Sequence, residues 1–339
     1  MLAYGDGVDW TRLPLSRSSV PRAAERRTDP ALIADVWQRP GTQVVLVAGG
    51  LLAVMPEAGD AVTLDLVAPS VLDGQSASLG SRHTGGSALT TADRTTEGTP
   101  DGALVAFLGN DGLDVLAVIL PDPSPVPGDR TWRSLREVGY RLDDRQAGLA
   151  STAVALAAWH ERHPRCPLCG APTTPTLAGW TRTCVEDGSE HYPRTDPAVI
   201  MAVVDDADRL LLAHSTPWPG RRFSTLAGFV EPGESAEAAV AREVAEEVGV
   251  SVGEVFYRGS QSWPFPGSLM LAYRARATST VITVDGAEIA EAHWFTREDL
   301  VAAVGAGEVV LPSQTSIARA LIEEWLGGPI ESESWESRG

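Results

Sequence analysis

The sequence predicts an α+β protein that consists of three successive parts. Short apolar runs typical of strands occupy residues 42–69 and 103–120, and a helical pattern follows at 143–163. A second series of strand-like runs begins near residue 195, where residues 198–215 predict two strands joined by an aspartate-rich turn. All three cysteines lie in a short segment between the two series.

The predicted domain organisation follows from these changes in pattern. We expect an N-terminal α/β domain, a zinc-ribbon-like segment, a C-terminal domain and a flexible tail, at residues 1–163, 164–193, 194–327 and 328–339. Residues 1–30 are predicted to be loosely ordered. Residues near 71–101 are rich in Gly, Ser, Thr and Asp, which predicts a long surface loop or a disordered insert.

Composition excludes several classes of protein. The net charge is −18 and the chain has no lysine, so a general nucleic-acid binder is disfavoured. The sequence has no run of 18 or more apolar residues, so it predicts no membrane span. Three cysteines do not suit a disulfide framework. The first residues lack the pattern of a signal peptide, and we therefore expect a cytoplasmic protein.

Residues 228–250 are the most informative part of the chain. Glu243, Glu246 and Glu247 stand at positions i, i+3 and i+4, so they share one face of a predicted helix. Because like charges at this spacing repel one another, the pattern indicates a bound cation, and carboxylates suit Mg²⁺ or Mn²⁺. A solvated acidic helix is the alternative, but it does not explain the arginine and glycines of the same segment.

The flanking residues of this helix also follow a pattern. Ser235 is the predicted N-cap, and Gly249 falls where the helix is expected to end. Gly228 and Gly233 bracket a loop before the helix. Arg242 and Glu234 are expected to pair and to hold this loop against the helix.

The cysteines predict a structural metal site. Cys166 and Cys169 form a C-P-L-C knuckle, and Cys184 follows fifteen residues later. A zinc site needs a fourth ligand, for which Asp187 and His191 are the two candidates. The alternative is a ribbon that keeps its fold without metal.

Residues 260–268 read SQSWPFPGS and predict a rigid aromatic loop. Trp263 and Phe265 offer flat faces, while Ser260, Gln261 and Ser268 offer hydrogen bonds. Such a loop suits stacking against a planar base. An ordinary aromatic core loop is the alternative interpretation.

Taken together, these motifs resemble a known family. Residues 228–250 resemble the signature box of the Nudix hydrolases at every defined position. Residues 260–268 are similar to the array of the NADH pyrophosphatase branch, except that Ser262 stands where the array has proline. The resemblance covers roughly residues 130–326. It implies an α/β/α sandwich with a mixed sheet, and hydrolysis of NADH or NAD⁺ to nicotinamide mononucleotide and AMP. It also implies removal of NAD caps from RNA 5′ ends.

The resemblance assigns roles within the acidic segment. It implies Glu243 and Glu247 as metal ligands, completed by Glu288 and the main-chain carbonyl of Ala227, with two or three Mg²⁺ or Mn²⁺ ions per site. Glu246 is either a ligand through water or the general base. Residues expected to organise this site are Gly228, Glu234 and Arg242.

Substrate and partner expectations complete the interpretation. The candidate substrate-binding residues are Tyr192, Phe229, Gln261, Ser262, Trp263, Pro264, Phe265, Pro266, Gly267, Ser268, Ala318 and Arg136. A structural Zn²⁺ and a homodimer are also expected. Two rival functions remain: a Nudix hydrolase for ADP-ribose or dinucleoside polyphosphates, and a Nudix-fold binding module. The second is disfavoured because the glutamates of the box are all present.

Overall fold

The computed structural model describes residues 8–55, 61–72, 102–124 and 126–332. The chain divides into an N-terminal unit (Ser18–Arg194 with Pro264–Gly267) and a C-terminal unit (Met1–Arg17, Thr195–Trp263 and Ser268–Gly339). Most of the predicted insert near 71–101, and the end of the predicted tail from residue 333, lie outside the described residues.

The N-terminal unit contains a five-stranded sheet and three α-helices. Its elements are α1 (Leu32–Gln38), β1 (Gln43–Ala48), β2 (Leu51–Val54), β3 (Leu104–Asn110), β4 (Asp114–Leu120), β5 (Thr131–Arg133), α2 (Leu135–Val138) and α3 (Asp144–Arg162). Short 3₁₀ segments occupy Ala24–Thr28, Pro69–Val71, Gly139–Arg141 and Leu177–Gly179. The strand order is β3-β4-β1-β2-β5, and only the β1–β4 pair is parallel.

Local patterns predicted most of this unit. The strand-like run at 103–120 is confirmed, because it forms the antiparallel strands β3 and β4. The helix expected at 143–163 is α3, whose N-cap Asp143 accepts from the Gln146 amide. The strand expected at 61–69 is limited to isolated bridges, in which Leu64 pairs with Val54 and Val67 with Val44.

The cysteine segment forms a separate small sheet in the same unit. Strands β6 (Thr173–Thr176), β7 (Thr181–Cys184) and β8 (Glu190–His191) pair antiparallel in that order. Cys184 therefore ends the central strand.

The C-terminal unit is built on a mixed six-stranded sheet. Its elements are β9 (Asp196–Val204), β10 (Leu210–Ser215), β11 (Leu226–Phe229), α4 (Ala236–Val248), β12 (Val252–Trp263), β13 (Ser268–Ala277), β14 (Ile289–Phe295), α5 (Arg297–Gly305) and α6 (Ile317–Leu326). The order is β12-β13-β9-β10-β14, with β11 also paired to β9. The pair β9–β13 is parallel and the others are antiparallel.

Helices cover both faces of this sheet, as the alternation of side chains along β9 shows. Val199 and Met201 pack with the apolar side of α4, whereas Ile200 and Ala202 pack with α5 and α6. Successive residues of a strand point to opposite faces, so one strand serves both cores. The predicted α/β/α sandwich with a mixed sheet is confirmed.

The first described residues differ from the expectation of loose order at 1–30. Leu13 and Leu15 are almost fully buried, and Leu13 joins the core beneath α6. The indole of Trp10 donates to Glu324 at 2.9 Å. Residues 8–17 are therefore an integral part of the C-terminal unit.

None of the helices in the described part of the chain is both long and apolar enough to cross a membrane.

Candidate active site

Helix α4 carries the glutamates, and its two ends explain its position. The hydroxyl of Ser235 accepts from the Ala238 amide at 3.2 Å, and Gly249 ends the helix with a left-handed φ of 69°. Val240 and Val244 anchor the opposite face in the core. The predicted caps are thus present, and the glutamate face is fixed relative to the sheet.

Arg242 connects the helix to the loop before it. Its guanidinium forms a bidentate pair with Glu234, at 2.9 and 3.0 Å, which was predicted from the sequence. It also donates to Glu243 at 2.9 Å, to Glu246 at 3.0 Å and to the main-chain oxygen of Phe229 at 2.9 Å. The fork geometry of arginine suits such multiple bonding, which a lysine ammonium could not reproduce.

Glu243 lies against the backbone of β11. A Cβ placed on Gly228 would stand 1.9 Å from Glu243 Cδ, so only glycine leaves room for this carboxylate. Burial raises the pKa of Glu243, and Arg242 opposes that effect.

Glu247 is the most buried acid of the helix. It is 6% exposed, and its Oε2 has no hydrogen-bond partner among the described residues. Burial, reinforced by the charges of Glu243 and Glu288, raises the pKa of Glu247 to about 8. A buried carboxylate without a partner is costly, and a bound cation would relieve that cost.

A loop before β14 brings further acids toward the helix. Glu288 contributes to the raised pKa values of both Glu243 and Glu247, so its charge lies near theirs. The carboxylate of Asp285 accepts from the amides of Glu288 at 3.0 Å and Ile289 at 2.9 Å. The Asp285 amide in turn donates to the Glu247 carbonyl at 3.2 Å.

Asp285 was not identified from the sequence. Its signal is the D-G-A-E turn before a strand, since aspartate commonly accepts from amides a few residues further along a turn. It shapes the loop that carries Glu288.

The remaining acidic-site candidates are more open. The Glu246 side chain is 63% exposed, and Ala227 lies on β11, opposite Ile200 of β9. Among the described residues, the cysteine cluster, and not these carboxylates, has ligand atoms that all lie within 4.8 Å of one another.

The SQSWPFPGS segment is a hairpin rather than a free loop. Ser260, Ser262 and Trp263 belong to the end of β12, Ser268 begins β13, and Trp263 pairs with Ser268. Gln261 is fully buried: its Oε1 accepts from the Leu15 amide at 3.1 Å, and its Nε2 donates to the Thr315 carbonyl at 2.8 Å.

Other candidate substrate residues differ in exposure. Phe229 is 59% exposed at the end of β11, whereas Ser268 and Ala318 are buried. Ala318 packs in the core, and its amide donates to the Ser316 hydroxyl at 3.2 Å.

Further candidates belong to the N-terminal unit. The guanidinium carbon of Arg136 lies 4.2 Å from the centre of the Phe265 ring, within the range of a cation–π contact. Pro264, Pro266 and Gly267 adjoin Phe265 in the same unit. Tyr192 is 60% exposed and its hydroxyl donates to Glu190 at 2.7 Å.

The cysteines converge as the sequence suggested. The four ligand atoms of Cys166, Cys169, Cys184 and Asp187 lie within 4.8 Å of one another. Cys169 Sγ is 3.5 Å from Cys184 Sγ, and Cys166 Sγ is 3.7 Å from Asp187 Oδ2. His191, the other candidate, instead places Nε2 3.0 Å from the Ser189 hydroxyl.

Asp187 is held in its ionised form. Hydrogen bonds from the Ser189 side chain and backbone lower the pKa of Asp187 well below its usual range. Three thiols and a carboxylate form a donor set that suits tetrahedral zinc.

Comparison with known families agrees with this architecture. Family models match residues 194–312 as a NUDIX domain, 161–192 as an NADH pyrophosphatase zinc ribbon domain and 44–159 as an NADH pyrophosphatase-like rudimentary NUDIX domain.

Individual relatives extend the comparison. The chain is 46% identical over 221 residues to the NAD-capped RNA hydrolase NudC of Mycobacterium tuberculosis, covering 62% of this chain and 70% of that protein. It is 41% identical over 198 residues to the NAD-capped RNA hydrolase NUDT12 of Pongo abelii, covering 55% and 43% of the two chains. A solved MutT/nudix family protein from Enterococcus faecalis is 26% identical, covers 31% of this chain and 45% of that chain, and gives a TM-score of 0.28.

A glutamate-bearing helix on this sandwich, together with the match of residues 194–312 to the NUDIX domain, defines a Nudix hydrolase. Within that class, the chain belongs to the NADH pyrophosphatase family that also includes the NudC-type proteins.

Proposed function

We propose that this enzyme hydrolyses the pyrophosphate bond of NAD⁺ to nicotinamide mononucleotide and AMP, hydrolyses that of NADH to reduced nicotinamide mononucleotide and AMP, and removes NAD caps from RNA 5′ ends. The observation that carries the proposal is the buried, unpartnered carboxylate oxygen of Glu247 near the charges of Glu243 and Glu288. The names of the relatives support the choice of NAD-containing substrates.

The donor set fits a divalent metal. Glu243, Glu247 and Glu288, with the carbonyl of Ala227, would offer oxygen ligands, which Mg²⁺ and Mn²⁺ prefer. When bound, such ions neutralise phosphate oxygens and lower the pKa of a water nucleophile. We propose two or three ions per site.

The chain's own groups would prepare the reaction. Arg242 fixes the carboxylates of Glu243 and Glu234, and so holds the helix and the loop in register. Gly228 leaves space for Glu243 against β11. Glu246 is exposed and within reach of water, which suits a general base or a ligand acting through water.

The aromatic residues would recognise the substrate. Phe229 is exposed directly beside the glutamate-bearing loop, and Trp263 stands at the end of β12. Flat, partly exposed rings suit stacking on adenine or nicotinamide. Gln261, whose amide bonds to Leu15 and Thr315 within the unit, would act by positioning this strand end.

The remaining proposals concern assembly and location. We propose that the cysteine cluster binds a structural zinc ion, because its donors lie within 4.8 Å of one another. A homodimer and a cytoplasmic location are proposed from the family resemblance.

A product assay tests the proposed function. Purified enzyme would be offered NADH, NAD⁺, ADP-ribose and NAD-capped RNA with Mg²⁺ or Mn²⁺, with Glu247→Gln as the blank. Reduced nicotinamide mononucleotide from NADH, or nicotinamide mononucleotide from capped RNA, should appear well ahead of any cleavage of ADP-ribose. Preference for ADP-ribose would reject the proposed substrate and make Ser262, the departure from the array, the first residue to revert to proline.

A further inference from the structure

Two arginines lie over one indole ring in the N-terminal unit. The guanidinium carbon of Arg27 is 3.6 Å from the centre of the Trp180 ring, and that of Arg22 is 5.4 Å from it. The Trp180 Nε1 donates to the carbonyl of Phe107 at 2.7 Å, which fixes the ring. Trp180 is therefore a rigid platform beneath two cations.

Neither cation has an acidic partner in the part of the chain that the structure describes. The side chain of Arg27 donates only to the main-chain oxygen of Arg22, at 3.3 Å, and its Nε is buried without a partner. Burial lowers the pKa of Arg27 to about 10, and the charge of Arg22 adds to the effect while Glu25 opposes it.

The neighbouring arginine provides the contrast. Arg26, in the same 3₁₀ segment, donates to the carboxylate of Asp114 at 2.5 Å, and Arg39 reaches the other oxygen of Asp114 at 2.5 Å. Among the described residues, a buried acid therefore pairs with Arg26 and none pairs with Arg27. An anion from outside would balance the charge of Arg27.

Phosphate chemistry fits this site. A guanidinium fork binds a phosphate oxygen pair, and an aromatic ring beneath it keeps the fork oriented. The surrounding chain carries a net charge of −18, so it repels a polyanion except where cations are concentrated. We propose that Arg22, Arg27 and Trp180 bind a backbone phosphate of single-stranded RNA.

The inference rests on the proposed function, because capped RNA brings phosphates beyond the bond that is cleaved. NADH has only the two phosphates of that bond. The site should therefore contribute to binding of RNA and leave the use of free NADH unchanged.

A binding assay tests the site independently of catalysis. An uncapped, fluorescently labelled 20-nucleotide RNA would be titrated with protein at several salt concentrations, and binding followed by anisotropy. The double variant Arg22→Gln/Arg27→Gln is compared with Arg133→Gln/Arg162→Gln, which removes the same charge from exposed positions of the same unit. Two lost phosphate contacts should make the log–log salt dependence less steep by about 1.4.

The companion assay measures hydrolysis of NADH and of NAD-capped RNA. The first double variant should lose about tenfold in kcat/KM on capped RNA at moderate salt and keep its rate on NADH. If melting curves show that this variant does not fold, Arg22→Gln alone should lower the slope by about 0.7, since Arg22 is exposed and its guanidinium lies over the ring.

The outcomes separate the two proposals. Equal slopes for both double variants, or no RNA binding by the unmodified enzyme, would overturn the phosphate site. Absence of NADH hydrolysis in an enzyme that binds RNA through Arg22 and Arg27 would reject the proposed function and leave the site standing.

Discussion

The carboxylate of Glu243 fills the space that a side chain on Gly228 would need: a Cβ at that position would lie 1.9 Å from the carboxyl carbon of Glu243. The φ of Gly228 is not in the left-handed region, so the backbone itself would accept alanine. The requirement for glycine here comes from the glutamate side chain alone. The first residue of the glutamate-containing motif therefore lies directly against the helix of the same motif.

Gly228→Ala should leave the fold intact and reduce activity. The carboxylate of Glu243 would have to rotate away, breaking its bond with Arg242, and a displacement of about 1 Å can cost about a hundredfold in rate. Steady-state kinetics and a melting curve check this. Gly220→Ala, where a Cβ meets nothing within 4 Å, is the control, and an equal loss in both variants would contradict the argument.

Glu247→Gln should abolish activity and stabilise the metal-free protein. Burial raises the pKa of Glu247 from 4.5 to about 8 in the folded protein, so the folded state holds the proton more tightly. The stability from this proton is present at low pH and is lost as pH rises from about 4.5 to 8. Glutamine does not ionise, so the variant should not lose stability as pH rises. Its turnover should fall about a thousandfold, or ~4 kcal/mol of transition-state stabilisation.

The test of Glu247 uses urea unfolding in the presence of a chelator at pH 5 and pH 8. The variant should gain stability relative to the parent at pH 8 and little at pH 5. Glu254→Gln, an exposed acid of β12, should change neither stability nor rate. Near-normal turnover of Glu247→Gln would end the metal assignment.

Two substitutions distinguish Asp187 from His191 as the fourth zinc ligand. Asp187→Asn should weaken zinc retention during dialysis against a chelator, because Asp187 belongs to the cysteine cluster. His191→Gln should retain zinc, since the His191 ring bonds to Ser189. Metal content is measured by atomic emission. The reverse pattern would make His191 the ligand.

Cys166→Ser should lose zinc and melt at a lower temperature, because metal binding contributes directly to the stability of so small a sheet. An unchanged melting temperature would instead favour a ribbon that folds without metal. NADH turnover, assayed well below the melting temperature, should remain.

His160 should make the protein less stable at mildly acidic pH. Its Nδ1 faces the Arg182 guanidinium at 2.9 Å and its Nε2 faces the Gly179 carbonyl at 2.9 Å, so the ring is neutral. Burial lowers the pKa of His160 to about 4 from 6.5. The unfolded chain therefore binds the proton first, and stability is lost as pH falls from about 6.5 to 4.

The loss at His160 should reach ~2 kcal/mol at pH 5, which lies about 1.5 pH units below the ordinary pKa of 6.5. Urea midpoints at pH 7.5 and pH 5 measure it in the parent and in His160→Gln, which keeps a donor toward Gly179. The variant should show a smaller difference between the two pH values. His293→Gln, at an exposed ring, should behave like the parent.

Trp263→Ala should reduce NADH hydrolysis more than hydrolysis of ADP-ribose. If the indole stacks on nicotinamide, its removal costs ~1–3 kcal/mol, or about tenfold and upward in kcat/KM. Phe256→Ala, which removes another exposed ring of β12, is the control. Equal losses on both substrates would restrict Trp263 to packing.

Local sequence patterns were sufficient to predict the glutamate helix, but they did not predict the distant residues of the same unit that bond to one another. Ser235, Arg242 and Gly249 each bond to partners a few positions away in the sequence. Spacing alone therefore predicted the cap, the ion pair and the helix end. The buried state of Gln261 could not be predicted in this way, because its partner Leu15 is 246 positions away.

The same reason explains the first residues of the chain. Trp10 and Glu324 are separated by 314 positions, and no local property of an Arg, Ser and Pro-rich stretch indicates that it packs beneath a distant helix. Asp285 was missed differently: its turn lies near Glu288, but only the fold shows that its amide meets Glu247.

The burial of Leu13 and Leu15 has a consequence for synthesis on the ribosome. Their neighbours on β12 and α6 are translated more than 240 residues later. At roughly 5–20 residues per second, that interval lasts about 10–50 s. Throughout it, the C-terminal unit is incomplete, so nascent chains should acquire a protease-resistant C-terminal unit only after α6 has left the ribosome.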